Sequence, residues 1–208
     1  MSKKNLKKVI LSDVDGVLLD WEHAFHTWMD TKGHTRIADF KCMYSLEKIY
    51  DLEDEHLKEL VAQFNSSAAI GFLPPLRDSM HYVKELHEKH GFIFHAITSM
   101  GEDESAHKLR IMNIKKLFGE TSFEEFRFLP VHALKYPILA EYKEKGFEGY
   151  WIEDRVDNAL YGASLGFKSL VVEHGHNMNR KSDKYQLVKT WKQIHDIISK
   201  DVDDNYGH

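Results

Sequence analysis

Four short stretches of the chain carry side chains suited to handling a phosphate-like anion. The first is Asp13-Val14-Asp15-Gly16-Val17-Leu18. Two carboxylates at i and i+2 lie close together in a loop that has just left a strand, and Gly16 lets the backbone turn tightly and show its amides to an anion. One carboxylate could attack phosphorus while the other handles the leaving-group proton. The same residues also read as a plain strand-to-turn junction, because Asp and Gly are common in turns. The second stretch is Thr98-Ser99, with Gly101 beyond; its hydroxyls could hold phosphoryl oxygens without adding charge, or simply cap a helix. The third is Lys135, just ahead of Pro137, a point charge for a phosphate or an ordinary solvated lysine. The fourth is Glu153-Asp154-Arg155, with Asp157 close behind. Acids that end a buried strand are less common than surface acids, and an oxygen-ligated Mg²⁺ would account for them.

The surrounding pattern predicts how these stretches are positioned. Apolar runs at 9–12, 92–98, 126–129, 150–152 and 169–172 read as buried strands, and two of them end directly in the acids. Helical patterns at 79–90, 103–118, 137–145 and 157–165 alternate with them, each followed by a glycine that stops the helix. Strands alternating with helices imply parallel βαβ units and a three-layer α/β sandwich. All four stretches then face one edge of the sheet, where open α/β sheets place their sites. Residues 21–77 break the alternation. Leu57, Leu60, Val61 and Phe64 mark an amphipathic helix there, shorter helical pieces flank it at 21–31 and 45–50, and the return path at 70–77, with Pro74-Pro75, reads as a stiff hinge or linker. The expected organisation is a core of residues 1–20 and 78–208 with a helical cap of residues 21–77 inserted after the first strand, above the strand ends. The tail at 201–208 is polar.

Composition narrows the classes without naming a chemistry. The 208 residues carry 28 basic and 33 acidic side chains, a net charge of −5. That argues against a broad basic face for polymeric nucleic acid, though not against a small basic pocket. The lone cysteine, Cys42, excludes an intramolecular disulfide and a cysteine zinc cluster and fits a reducing compartment. Neither a secretory apolar run of about 7–15 residues nor a membrane span of about 20 is present, so the expectation is a soluble, cytoplasmic protein with no membrane partner. Fourteen histidines are scattered through the chain; His174-Gly175-His176 reads as a loop contact rather than a metal site. Nothing in the sequence sets the oligomeric state.

The order acid pair, hydroxyl, lysine, acid along one sheet edge resembles the haloacid dehalogenase superfamily of phosphohydrolases, from Val9 to about Val172. The insertion resembles the subgroup with a helical cap between the first and second motifs. The resemblance implies a Rossmann-like parallel-sheet core and a Mg²⁺-dependent hydrolase of small-molecule phosphate esters. It implies Asp13 as the nucleophile that forms an aspartyl-phosphate. It implies Asp15 as the acid that protonates the leaving oxygen and the base for the hydrolytic water. Mg²⁺ would be held by the Asp13 carboxylate, the Asp15 carbonyl and Asp154, and Thr98 and Lys135, with Gly16 and Ser99 beside them, would bind the phosphoryl group. The chain has Glu153-Asp154 where many members have Gly-Asp, and Asp157 with Asn158 follow, leaving Glu153 and Asp157 as weaker candidates near the metal.

Finer similarity to the 5′(3′)-deoxyribonucleotidases lies in the run from Asp13 to Glu22, in Thr98-Ser99, in Leu117-Phe118-Gly119 with Phe123, and in Ile152-Glu153-Asp154-Arg155. It implies a nucleoside monophosphate as substrate and a nucleobase contact at Trp21; Trp21, Phe25 and Trp28 at helical spacing equally describe packing inside the cap. A sugar-phosphate phosphatase or phosphomutase, a receiver-like phospho-acceptor and a non-catalytic binding protein are the alternatives.

Overall fold

A computed structural model describes residues 8–37, 46–131 and 133–206. Cys42, the start of the helical piece at 45–50 and the last two residues of the tail lie outside the described residues. Six strands form one parallel sheet in the order β3-β2-β1-β4-β5-β6. They are β1 (Val9–Ser12), β2 (Ile93–Ser99), β3 (Phe123–Leu129), β4 (Tyr150–Glu153), β5 (Lys168–Val172) and β6 (Gln186–Val188). β1 and β4 are central and buried on both faces, which is why their sequences are continuous apolar runs rather than alternating ones. β3 begins three residues before the expected start, behind Glu124 and Glu125, and β6 was not anticipated. Both are edge strands with one side free, so their sequences carry more polar residues.

Side chains alternate across the sheet and build two apolar layers. On one face Ile10, Phe94, Ala96, Ile152 and Leu170 meet α4 (Ser79–Glu88), α5 (Glu104–Phe118) and α8 (Trp191–Tyr206). On the other, Val9, Leu11, Ile97 and Trp151 meet α6 (Tyr136–Glu144), and α7 (Val156–Ser164) packs beside it through Ala159 on Val171. The result is a three-layer α/β sandwich. Among the described residues no helix is long and apolar enough to cross a membrane.

Between β1 and α4, the described residues contain α1 (Trp21–Thr31), α2 (Leu46–Tyr50), α3 (Asp54–Asn65) and a 3-10 helix at Ala68–Phe72, with no strand of the sheet. Phe25 is their centre: it stacks on Trp21 at 4.9 Å and meets Phe64 edge-on at 5.4 Å. These helices do not have a core of their own. Phe25, Phe64, Ile70 and Leu73 join Val14, Val17 and Leu18 in the same apolar cluster as the sheet. The return path is paired rather than loose. Pro74 offers its carbonyl to the Asp20 amide at 2.9 Å and Leu76 donates to the Leu18 carbonyl at 2.8 Å, while Leu19 and Pro75 form an antiparallel bridge. Proline lacks an N–H, so here it serves as the accepting side of the ribbon.

Gly162 on α7 shows how closely the second layer approaches the sheet. A Cβ there would stand 2.5 Å from Trp151 Cδ1 and 2.9 Å from Ser169 Oγ. Gly162→Ala gains about 1 kcal/mol of helix propensity, but overpacking costs about 1–3 kcal/mol, so the clash should win. Urea unfolding is expected to show a net loss; a midpoint at or above wild type would contradict the close approach.

Candidate active site

The C-terminal ends of β1, β2 and β4 open side by side, with Ser12 paired to Ala96 on one flank and to Ile152 on the other. Asp13 continues β1 by donating its amide to the Ile152 carbonyl at 2.8 Å. Its Oδ1 accepts the Val14 amide at 2.7 Å, and its Oδ2 meets Lys135 Nζ at 2.7 Å. Lys135, the N-cap residue of α6, also donates to Glu153 Oε2 at 2.8 Å. Lys135 is 3% exposed, Asp13 7% and Glu153 0%. Burial alone would lower the Lys135 ammonium, yet Asp13 and Glu153 hold it above its usual range. Burial and the neighbouring Glu153 push Asp13 well up, against the pull of Lys135, and burial likewise raises Glu153.

Asp154 completes the acid group. Oxygens of Asp13, Glu153 and Asp154 lie within 4.8 Å of one another. Burial and the Asp13 charge bring Asp154 up to about 6. The three acids are not equivalent. Glu153 receives four N–H donors: Lys135 and Asn158 on Oε2, and the Asp154 and Arg155 amides on Oε1. Its oxygens are spent on holding Lys135 and the start of α7. Asp13 carries a single N–H donor on each oxygen, against two on each oxygen of Glu153. Two buried carboxylates that share one ammonium, with the part-buried Asp154 beside them, offer only oxygen ligands and fit a small hard divalent cation such as Mg²⁺.

Gly16 has φ +73, and a Cβ there would stand 2.7 Å from Asp154 Oδ2. Any other residue would both strain the turn and press on the acids. Thr98, at the end of β2, is 1% exposed and its Oγ1 has no partner among the described residues. A buried hydroxyl without a partner is a vacant donor. Ser99, the last residue of β2, is half-buried. Asp157 turns away toward Arg180 at 3.2 Å and is exposed, so it is not gathered with the other acids. Trp21 starts α1; its indole donates to Asn65 Oδ1 at 2.9 Å and its ring stacks on Phe25, which is the packing arrangement open at the sequence level.

Asp15 has a partner that sequence reasoning missed. Arg110 on α5 grips its carboxylate with both terminal nitrogens, Nη2 standing 3.3 Å from Oδ2. Arg110 is fully buried and its Nε has no partner among the described residues. One signal could have found it: Arg110 lies on the inward stripe of α5 with Ala106, Asn113, Ile114 and Phe118, where a surface charge does not belong.

Two stability predictions follow from these charges. Removing one partner of a buried pair costs about 3–5 kcal/mol when the other charge stays buried. Asp15→Ala strands a guanidinium with no exposure, whereas Arg110→Met leaves a carboxylate that is 25% exposed and able to hydrate. Chemical denaturation should therefore show Asp15→Ala to be the worse of the two; the reverse order would contradict the burial. The second concerns pH. Asp154 titrates higher folded than unfolded, so the native state binds the extra proton and metal-free stability falls as pH rises from about 4 to about 6. Asp154→Asn should stabilise the metal-free protein at pH 7 but not at pH 4, measured by thermal unfolding in chelator. No gain at pH 7 would contradict a carboxyl raised by burial and by the Asp13 charge.

No protein-family model matches the chain. It is 25% identical over 165 residues to an uncharacterized 32.4 kDa protein of Enterobacteria phage T4 from the Gp30–rIII intergenic region, covering 77% of this chain and 58% of that protein. The chain thus spans little more than half the length of that relative. Among solved structures it is similar to a haloacid dehalogenase-like family hydrolase from Streptococcus pneumoniae, with a TM-score of 0.61 at 17% identity, covering 92% of this chain and 98% of that one. It is also similar to CbbY from Rhodobacter sphaeroides in complex with phosphate, at TM-score 0.57, 12% identity and coverage of 90% and 96%. An L-2-haloacid dehalogenase gives 0.56 at 11% identity, with coverage of 92% and 99%. The chain has the α/β fold of the haloacid dehalogenase-like hydrolases.

Proposed function

We propose that this chain is a Mg²⁺-dependent phosphomonoester hydrolase that works through a phosphorylated Asp13. The observation that carries the reading is Lys135 Nζ, buried 2.7 Å from the Asp13 carboxylate. An ammonium there offsets the repulsion between a carboxylate nucleophile and an anionic phosphate. Asp13 and Asp154, with the Asp15 carbonyl, would hold Mg²⁺, which supplies charge neutralisation of the phosphoryl oxygens when bound. Asp13 Oδ forms a bond to phosphorus as the ester P–O bond breaks, and Asp15 delivers a proton to the leaving oxygen. Water then attacks phosphorus, gives its proton to Asp15, and frees Asp13 with release of phosphate. The vacant Thr98 hydroxyl donates to the phosphoryl group, with Ser99 and the Gly16 turn beside it. Glu153 keeps Lys135 in place.

Nucleoside monophosphates are the first substrates to test, on the sequence similarity that runs from Asp13 to Glu22. The Trp21 indole is already engaged with Phe25 and Asn65, so a base contact there would add to its packing role. Phosphate release from a panel of nucleotides and sugar phosphates should require Mg²⁺, stop with a chelator, and fall by roughly 10³-fold or more in Asp13→Asn. Wild-type turnover in that variant would remove Asp13 as nucleophile. Halide release from 2-haloacids without phosphate release would replace the reading with dehalogenation, and equal turnover of nucleotides and sugar phosphates would remove the nucleotide preference.

A further inference from the structure

The turn after β5 reaches across to both acid-bearing loops. His174 Nε2 lies 2.6 Å from the Gly16 carbonyl. Asn177 donates through Nδ2 to the Asp154 carbonyl at 2.7 Å and to the Val172 carbonyl at 2.8 Å, and its Oδ1 accepts the His174 amide at 2.9 Å. His176 Nε2 adds a longer contact to the Asp154 carbonyl at 3.3 Å, and the two imidazoles stack with planes 7° apart. The turn is itself anchored, since the Glu173 amide donates to the Val188 carbonyl of β6 at 2.8 Å. Asn177 is 1% exposed.

Two features separate this arrangement from ordinary loop packing. First, one short turn from β5 joins a loop from β1 to a loop from β4, and these two loops carry Asp13, Asp15 and Asp154. Second, the hydrogen bonds of His174 Nε2 and Asn177 Nδ2 go to main-chain carbonyls and not to the carboxylates; His176 Nε2 also stands 3.7 Å from Asp154 Oδ2. Donors on main-chain carbonyls fix the loops without occupying carboxylate oxygens. The contrast with Glu153, whose carboxylate is filled by four donors, is direct.

We propose that His174 and Asn177 are positioning residues of the cation site, clamping the Asp13–Gly16 and Glu153–Asp154 loops at the separation that a divalent ion requires. The inference rests on the reading that these acids hold Mg²⁺. Partners that orient metal ligands typically change affinity by about 10–100-fold when removed. Binding of Mn²⁺, a spectroscopic substitute for Mg²⁺, can be followed by the free-ion paramagnetic resonance signal, with thermal unfolding in chelator as a separate reading of the scaffold. His174→Phe keeps a ring but loses the donor, and should weaken Mn²⁺ binding by about 10–100-fold. His174→Gln restores a donor and should recover most of that loss, which a role in packing alone would not produce. Asn177→Leu should weaken binding similarly; if it does not fold, the two His174 variants decide. Wild-type affinity in His174→Phe overturns the clamp, whatever happens to its unfolding temperature. A wild-type protein that binds no Mn²⁺ or Mg²⁺ overturns the cation reading and the clamp with it.

Discussion

The buried ammonium of Lys135 is the interaction on which the rest of the site depends. It stands between Asp13 and Glu153, within hydrogen-bond reach of each. Without it, three carboxylates at the mouth of a parallel sheet would be forced to protonate or to admit water. With it, Glu153 is converted into a support, while Asp13 carries only one donor on each oxygen. The sheet order supplies the geometry. β1 and β4 are neighbours, so acids that follow them in sequence stand side by side, and α6 begins at Lys135 where it can reach both. A lysine elsewhere on the surface would be hydrated and of little electrostatic consequence; enclosed here, its charge acts in a medium that screens it poorly.

Much of this was legible in the sequence because central parallel strands announce themselves. Val9–Ser12 and Tyr150–Glu153 are apolar runs that stop at acids, and burial on both faces explains the runs. The edges were harder to read. β3 opens with Phe123-Glu124-Glu125 and β6 has three residues, one of them Gln186, so solvent on one side erased the signal. That Asp13 and Asp154 close apolar strands and Lys135 precedes a helix was readable from the alternation of strands and helices; the sheet order that makes β1 and β4 neighbours was not. Nor was what side chains do to one another. Glu153 stands in the sequence as a possible neighbour of a metal, and only its four donors show it to be a brace. Arg110 and Asp15 are 95 residues apart, and His174 and Gly16 are 158 apart. Neither pairing leaves a local periodicity to detect, although an arginine on the apolar stripe of α5 was a visible anomaly.

A carboxylate held by a guanidinium accepts hydrogen bonds from it. In the proposed mechanism, the proton transfers assigned to Asp15 would have to take place beside Arg110. α5 carries Arg110 and also supports the helical insertion, since Asn113 donates to the Leu73 carbonyl at 3.0 Å and Gly71 approaches Leu109 and Met112 closely. The orientation of Asp15 and the seating of the insertion are therefore set by the same helix.

The ribbon formed by Leu18–Asp20 and Pro74–Leu76 has an evolutionary consequence. The chain leaves the core and returns to it along this one ribbon, yet the segment between shares its apolar cluster with Val14, Val17 and Leu18, so a change in its helices is felt by the loop that follows Asp13. Variation in that segment is thereby coupled to the packing beneath the acid-bearing loop, and the two would have to change together.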